Sequence, residues 1–153
     1  QAQSKYYIPP AYKHVGASWL TKENTLSETE NVMRYFDAVL EAEDIPIDKN
    51  LIILGYSQGV SVAMRYIAKR QLHCEQLVLM SGGIPKELVA DEFKFLEGKA
   101  KITMIYGTQD EYLNEERMQN ETNRVKELFG NDIAIIPFDG KHIVNVELIN
   151  DLV

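Results

Sequence analysis

The sequence predicts an α/β protein with a parallel sheet flanked by helices. Two observations support this fold class: short apolar runs alternate with segments whose apolar residues recur at helical spacing, and each run is apolar throughout. Uniformly apolar runs are typical of parallel strands that are buried on both faces. Because 153 residues suffice for one core, residues 1–153 are predicted to form a single domain.

The first part of the chain predicts a loop and then a helix. Residues 1–26 are rich in aromatic side chains and have no lasting period, which indicates a long ordered loop. Apolar residues at helical spacing predict a helix over about 28–43, with Ser27 and Glu30 as a capping box at its start. Pro46 is expected to follow its end.

Four strands and three further helices are predicted after that point. The strands are placed at 51–54, 77–80, 102–106 and 133–136. Pro137 is expected to break the last strand. The helices are placed from 60 to 71 or 72, over a polar segment that ends at 129, and from 143 to 153. Gly130 is predicted to stop the polar helix as a left-handed cap.

Charge and composition exclude several classes of function. Sixteen basic residues against 23 acidic ones give a net charge of −7, which repels phosphate backbones and anionic lipid headgroups. Nucleic acid is therefore not an expected partner, and no apolar run reaches the ~20 residues of a membrane span. Cys74 is the single cysteine and fits a reducing compartment, so a cytoplasmic location is expected.

A serine lies in a sharp turn between the first predicted strand and the next helix. The pattern Gly55-x-Ser57-x-Gly59 in this setting is typical of a nucleophile elbow, which exposes the serine hydroxyl at the carboxyl end of the sheet. Both glycines are predicted to be needed, because the turn is too tight for Cβ atoms on either side. Ser57 is the predicted nucleophile.

A serine nucleophile needs a base, and the base needs an orienting carboxylate. His142 follows the fourth predicted strand and is the predicted base. Asp110 follows the third strand and is the predicted acid, but Glu111 and Asp139 lie close enough in sequence to stay open as alternatives.

The remaining reactive side chains carry no predicted chemistry. His14 and His73 are expected to be structural or exposed, and Cys74 is expected to be a buried, inert thiol. The glycosylation pattern at Asn120 falls within a predicted helix and is interpreted as chance. No metal-ligand spacing and no nucleotide-binding glycine loop occurs, so no metal and no cofactor is predicted.

Five segments resemble the phospholipase/carboxylesterase branch of the α/β-hydrolase superfamily, which includes acyl-protein thioesterases. Residues 55–59, Gly-Tyr-Ser-Gln-Gly, are close to its Gly-Phe-Ser-Gln-Gly elbow, and residues 81–85, Ser-Gly-Gly-Ile-Pro, are close to its Ser-Gly-x-Leu-Pro turn. Residues 107–110, Gly-Thr-Gln-Asp, and 140–142, Gly-Lys-His, resemble its other catalytic loops. Ser18-Trp19 resembles an aromatic loop that borders its active site.

The resemblance implies roles for particular residues. It implies a catalytic triad of Ser57, Asp110 and His142, with the backbone N–H of Gln58 as one donor of the oxyanion hole. Trp19 and Tyr56 are predicted to contact substrate. For Trp19, and for Tyr6, Tyr7 and Tyr12, an anchoring role in a loop or core stays open as the alternative.

One part of the family pattern has no counterpart in the sequence. In the family, an earlier strand, an oxyanion loop of the His-Gly type, a helix and a further strand precede the aromatic loop, and nothing in residues 1–26 matches them. The second oxyanion donor normally comes from that loop. The chain is therefore expected to be incomplete at its amino terminus, with the first strands and the oxyanion loop absent.

The predicted function is a serine hydrolase that cleaves carboxylic esters or thioesters through an acyl-enzyme on Ser57. The expected partner is a small-molecule ester or acyl substrate, and a homo-oligomer is left open. One alternative is a catalytically inactive α/β-hydrolase-fold protein used for binding or assembly. A flavodoxin-like nucleotide-binding domain is a second alternative, disfavoured by the acidic surface and the missing phosphate loop.

Overall fold

The computed structural model describes residues 18–20, 25–44 and 50–152 of the chain. These residues belong to two compact units, residues 1–49 and residues 50–153. The single-domain prediction remains a prediction.

The first unit contains one long helix, α1, which spans Thr25–Ala42. It begins before Ser27, so the predicted capping box is wrong: Ser27 lies within the first turn and is not the residue before the helix. Trp19 packs against Phe36 with ring centroids 5.5 Å apart. The greater part of the predicted loop over 1–26 and the predicted break at Pro46 lie outside the described residues.

The second unit alternates strands and helices. In chain order the elements are β1 Ile52–Tyr56, α2 Gln58–Arg70, β2 Gln76–Met80, a 3₁₀ helix Ala90–Leu96, β3 Lys101–Gly107, α3 Glu115–Phe129, β4 Ala134–Phe138 and α4 Val146–Asn150. Every predicted strand and helix of this unit has a counterpart within a few residues. The 3₁₀ helix is an addition, because its seven residues are too short to show a period.

The four strands form one parallel sheet in the order β1-β2-β3-β4. The predicted fold class, a parallel α/β sheet flanked by helices, is confirmed. Because all strands run in the same direction, their carboxyl ends meet at one edge of the sheet. The residues that follow these ends are therefore brought together, whatever their separation in sequence.

Two apolar layers cover the faces of this sheet. On one face, alternate side chains of β2 and β3, such as Leu77, Leu79 and Met104, pack with α2, α3 and the 3₁₀ helix. On the other face Val78 and Ile105 form a smaller cluster, with the side chains of Leu148, Ile149 and Leu152 packed against it. The alternation follows from the two-residue period of a strand.

Two predictions about the outer strands are wrong. The first strand was expected to be buried on both faces, but Ile52 is 36% and Leu54 39% exposed, since α2 and α3 pack on the opposite face of the sheet. The fourth strand was expected to break at Pro137, but β4 continues through it to Phe138. A proline is tolerated there because β4 pairs on one side only among the described residues.

The end of α3 also differs from its prediction. Gly130 has φ 80° and ψ −165°, so it does not adopt the left-handed helical conformation of the predicted cap. Its positive φ still favours glycine, and its N–H donates to the carbonyl oxygen of Lys126 at 2.8 Å. The start of α3 is capped by Asn114, whose side chain accepts from the N–H of Arg117 at 2.9 Å.

Candidate active site

Ser57 occupies a strained turn between β1 and α2. Its backbone has φ 54° and ψ −122°, a combination that non-glycine residues rarely adopt. Its N–H donates to the carbonyl oxygen of Met80 at 2.9 Å, at the end of the neighbouring strand. Such strain persists only where the surroundings impose it, and it is concentrated at functional sites.

Close backbone packing holds this turn in place. A Cβ atom on Gly55 would lie 2.6 Å from the Cα atom of Val60, and one on Gly82 would overlap the carbonyl oxygen of Ser57. At Gly59, by contrast, no described atom lies within 4 Å of a Cβ position. Gly55 is therefore required for the turn as predicted, whereas the same prediction for Gly59 is wrong.

The loops after β3 and β4 are packed backbone to backbone. A Cβ atom on Gly107 would overlap the carbonyl oxygen of Gly140. The N–H of Gln109 donates to that same carbonyl oxygen at 2.8 Å. This contact brings the loop that carries Asp110 against the loop that carries His142.

Ser57, His142 and Asp110 form a chain of hydrogen bonds at the carboxyl edge of the sheet. The Nε2 atom of His142 lies 2.9 Å from the Oγ atom of Ser57, and its Nδ1 atom lies 2.7 Å from the Oδ2 atom of Asp110. The carboxylate is fully buried and the imidazole is 15% exposed. The serine side chain makes no capping bond to α2, which leaves its hydroxyl directed to the imidazole.

Asp110 is held by its own loop. Its Oδ1 atom accepts from the N–H groups of Tyr112 at 2.8 Å and Leu113 at 3.2 Å, while Oδ2 faces His142. The two other carboxylates left open by the sequence are placed elsewhere. Glu111 is exposed, and Asp139 accepts from the side chain of Gln109 at 2.6 Å.

Two tyrosines surround the imidazole. The hydroxyl of Tyr56 donates to the backbone carbonyl oxygen of His142 at 2.9 Å, and the two rings lie 5.1 Å apart. Burial raises the pKa of this hydroxyl, and the negative charges of Asp110 and Glu111 raise it further, so it remains a proton donor. Tyr112 approaches His142 edge-on, with ring centroids 4.9 Å apart.

A pocket of about 250 Å³ opens over Ser57. Its lining includes Gln58, Ser81, Gly83, Arg117 and His142. Tyr56 is not among the described residues that line it, and its predicted contact with substrate remains a prediction. The sequence predicts no site role for Arg117 or Ser81. Arg117 belongs to a helix and Ser81 to a turn, and neither pattern indicates which residues of other elements line the pocket.

The other residues singled out by the sequence are described by their own contacts. Trp19 belongs to the first unit, where it contacts Tyr35 and Phe36, and its predicted substrate contact stays untested. Cys74 is buried, which raises the pKa of its thiol to about 11. His73 is exposed with its ring against Phe95, and His14 lies outside the described residues.

Neither a metal centre nor a membrane span is found within the described ranges. No group of three or more His, Cys, Asp or Glu side chains among residues 18–20, 25–44 and 50–152 could hold a metal ion. Over the same ranges, no helix has the length and apolar character needed to cross a bilayer.

Comparison with known proteins places the fold among solved hydrolases. The structure is similar to acyl-protein thioesterase 2 from Zea mays, with 15% identity and a TM-score of 0.64 over 90% of this chain and 70% of that chain. The Bacillus cereus carboxylesterase shares 13% identity with a TM-score of 0.62, over 86% of this chain and 60% of that chain. At these identities the likeness shows the fold alone.

A third solved structure gives a similar result. The phospholipase/carboxylesterase from Dyadobacter fermentans DSM 18053 shares 17% identity with a TM-score of 0.59, over 90% of this chain and 68% of that chain. The chain thus spans between 60% and 70% of the length of these three proteins. No curated protein sequence matches the chain significantly.

The family is shown by the sequence itself. The model of the phospholipase/carboxylesterase family matches residues 18–151, which is nearly the whole chain. The match includes the elbow at Ser57, the turn after β2 and the loops that carry Asp110 and His142. The chain therefore belongs to the phospholipase/carboxylesterase family of ester-hydrolysing enzymes.

Proposed function

We propose that the protein is a serine hydrolase that cleaves a carboxylic ester or thioester through an acyl-enzyme on Ser57. The observation that supports this most directly is the hydrogen-bonded chain from Ser57 through His142 to Asp110. A nucleophile within 2.9 Å of a base, and a base within 2.7 Å of a buried carboxylate, meet the geometric requirement for acyl transfer.

The first half of the reaction forms the acyl-enzyme. The Oγ atom of Ser57 attacks the acyl carbonyl carbon while Nε2 of His142 accepts the hydroxyl proton. The carbonyl oxygen becomes an oxyanion, to which the backbone N–H of Gln58 donates at the positive end of α2. Collapse of this intermediate expels the alcohol or thiol, which takes the proton from His142.

The second half repeats these steps with water. His142 takes a proton from a water molecule, which attacks the acyl-enzyme and releases the carboxylic acid. Throughout, Asp110 accepts from the Nδ1–H group of His142, which holds the neutral imidazole with Nε2 towards Ser57 and stabilises the imidazolium. The two backbone N–H donors on Oδ1 keep this carboxylate oriented.

Labelling with a fluorophosphonate tests the proposal, because this reagent modifies an activated serine. The wild-type protein is expected to be labelled and the Ser57→Ala variant is expected not to be. A matched control is Ser27→Ala, which removes an exposed serine of α1. Labelling that persists in Ser57→Ala contradicts the assignment, and a wild-type protein that stays unlabelled favours an inactive binding protein of the same fold.

A further inference from the structure

The pocket over Ser57 has an unusual charge for this chain. The whole protein carries a net charge of −7, yet no Asp or Glu is found among the described residues that line the pocket. Arg117, in the first turn of α3, is the one Lys or Arg among them. A negatively charged group that enters this pocket therefore meets a cation and no carboxylate at its wall.

The guanidinium of Arg117 is held in place but retains donors. Its Nη1 atom donates to the carbonyl oxygen of Tyr112 at 2.9 Å, and its Nε atom lies 3.6 Å from the Oε1 atom of Glu121. Glu121 is itself engaged, because its Oε2 atom accepts from the N–H of Ile84 at 2.7 Å. These contacts fix the side chain, whereas Nη2 has no hydrogen-bond acceptor among the described residues and the side chain remains 51% exposed.

The turn after β2 leaves room for this arrangement. Nη2 of Arg117 would lie 3.3 Å from a Cβ atom on Gly83, so the absence of a side chain lets the guanidinium lie over the turn. In the same turn, the hydroxyl of Ser81 is buried and has no hydrogen-bond partner among the described residues. A buried hydroxyl without a partner at a pocket wall is suited to bind a polar ligand group.

We propose that this pocket selects ester substrates that carry a second, ionised carboxylate, which Arg117 binds while Ser57 attacks the ester carbonyl. This proposal rests on the proposed function and deepens it by naming the substrate class. A guanidinium pairs with a carboxylate through two parallel hydrogen bonds. Because Glu121 already lies against the Nε atom of this guanidinium, a singly charged carboxylate fits the site better than a phosphate dianion.

A pair of substrates of equal length tests this selection. Ethyl pentanoate and monoethyl glutarate have acyl parts of the same chain length, which end in a methyl group and in a carboxylate respectively. The readout is the ratio of kcat/KM for the charged ester to that for the neutral ester. We expect a ratio of about ten in the wild type, the lower end of the range for a hydrogen bond to a charged group, because Arg117 is half exposed.

Variants of α3 separate a local contact from a general charge effect. In Arg117→Met the ratio is expected to fall about tenfold, and Arg117→Lys is expected to restore part of it because the charge is kept. Lys126→Met removes the same charge from an exposed position of the same helix outside the pocket, and the ratio is expected to stay. A wild-type ratio of one or below, or an unchanged ratio in Arg117→Met, overturns the proposal.

A binding measurement depends neither on turnover nor on the folding of the Arg117→Met variant. Calorimetric titration of the Ser57→Ala variant with monoethyl glutarate and with ethyl pentanoate is expected to show tighter binding of the charged ester, and added salt is expected to weaken this difference. Equal binding of the two esters overturns the proposal. If the wild type fails to hydrolyse either ester but Ser57→Ala still binds monoethyl glutarate more tightly, the proposed function fails and the carboxylate site stands.

Discussion

The cavities at the two ends of the sheet differ in volume and in the residues that line them. At the amino ends of the strands a cleft of about 820 Å³ is lined by charged side chains such as Lys99, Lys101 and Asp132. The pocket at the carboxyl ends has about 250 Å³, yet it contains Ser57 and His142. The smaller cavity contains the candidate catalytic residues because the loops that follow parallel strands lie at that end of the sheet.

The local packing of the two ends differs as well. At the carboxyl end, loops approach so closely that Gly82 and Gly107 have no room for a Cβ atom. In the cleft at the amino end, Gly98 and Gly130 have no described atom within 4 Å of a Cβ position. Close packing holds side chains in position to within a fraction of an ångström. The candidate site is therefore distinguished by the packing of its loops and not by the volume of its pocket.

The largest expected effect comes from the buried carboxylate. Asp110→Asn is expected to lower kcat by roughly 10⁴-fold, because an amide cannot hold the imidazole in the tautomer that accepts the serine proton. Hydrolysis of a neutral ester measures this loss. Asp132→Asn in the amino-end cleft and Asp139→Asn beside Gln109 serve as controls. A loss in Asp132→Asn as large as that in Asp110→Asn would contradict the difference between the two ends, and such a loss in Asp139→Asn would contradict the choice of Asp110 as the acid.

A pair of glycines tests the packing of the turn around Ser57. Gly55→Ala is expected to lower the free energy of unfolding by about 1–3 kcal/mol, since its Cβ atom would overlap the backbone of Val60. Gly59→Ala is expected to raise it by roughly 0.5 kcal/mol, because alanine is the better helix former and meets no described atom. Denaturant unfolding measures both. Equal destabilisation in the two variants would show that the space around Gly55 is not limiting.

A smaller effect is expected from the hydrogen bond between Tyr56 and the backbone of His142. Tyr56→Phe removes a hydroxyl whose net contribution is about 1 kcal/mol, so kcat is expected to fall about fivefold with KM unchanged. Tyr106→Phe on β3 is the matched control. A change in KM with kcat unchanged would instead support the predicted contact of Tyr56 with substrate.

The last effect appears only at alkaline pH and concerns Cys74, the thiol predicted to be buried and inert, which lies before β2 at the amino end. Its folded-state pKa of about 11 exceeds the ordinary value, so the unfolded chain ionises first as the pH rises. The stability that Cys74 contributes is therefore full below its ordinary pKa of 9.0 and declines between about pH 9 and about pH 11. The difference in the free energy of unfolding between the wild type and Cys74→Ala should be smallest near pH 11. Rapid alkylation of the native thiol at neutral pH would contradict its burial.

The sequence by itself determined much of the fold and singled out the candidate site residues. Strand and helix positions follow from apolar periods of two or 3.6 residues, which are local properties of the chain. Ser57 is recognisable because its turn requires a particular short pattern, and His142 is recognisable because it follows a strand that ends at the same edge. These inferences need only neighbouring residues and the parallel direction of the strands.

Only the tertiary structure decided which groups meet across the loops. Ser57 and His142 are 85 residues apart, and the choice of Asp110 over Glu111 and Asp139 depends on how the loops after β3 and β4 pack. Neighbours distant in sequence also decide three other features. They expose Ile52, allow β4 to continue through Pro137, and place Arg117 at the wall of the pocket. Periodicity describes one element at a time, whereas a site is formed by contacts between elements, which the packing of backbones and side chains selects.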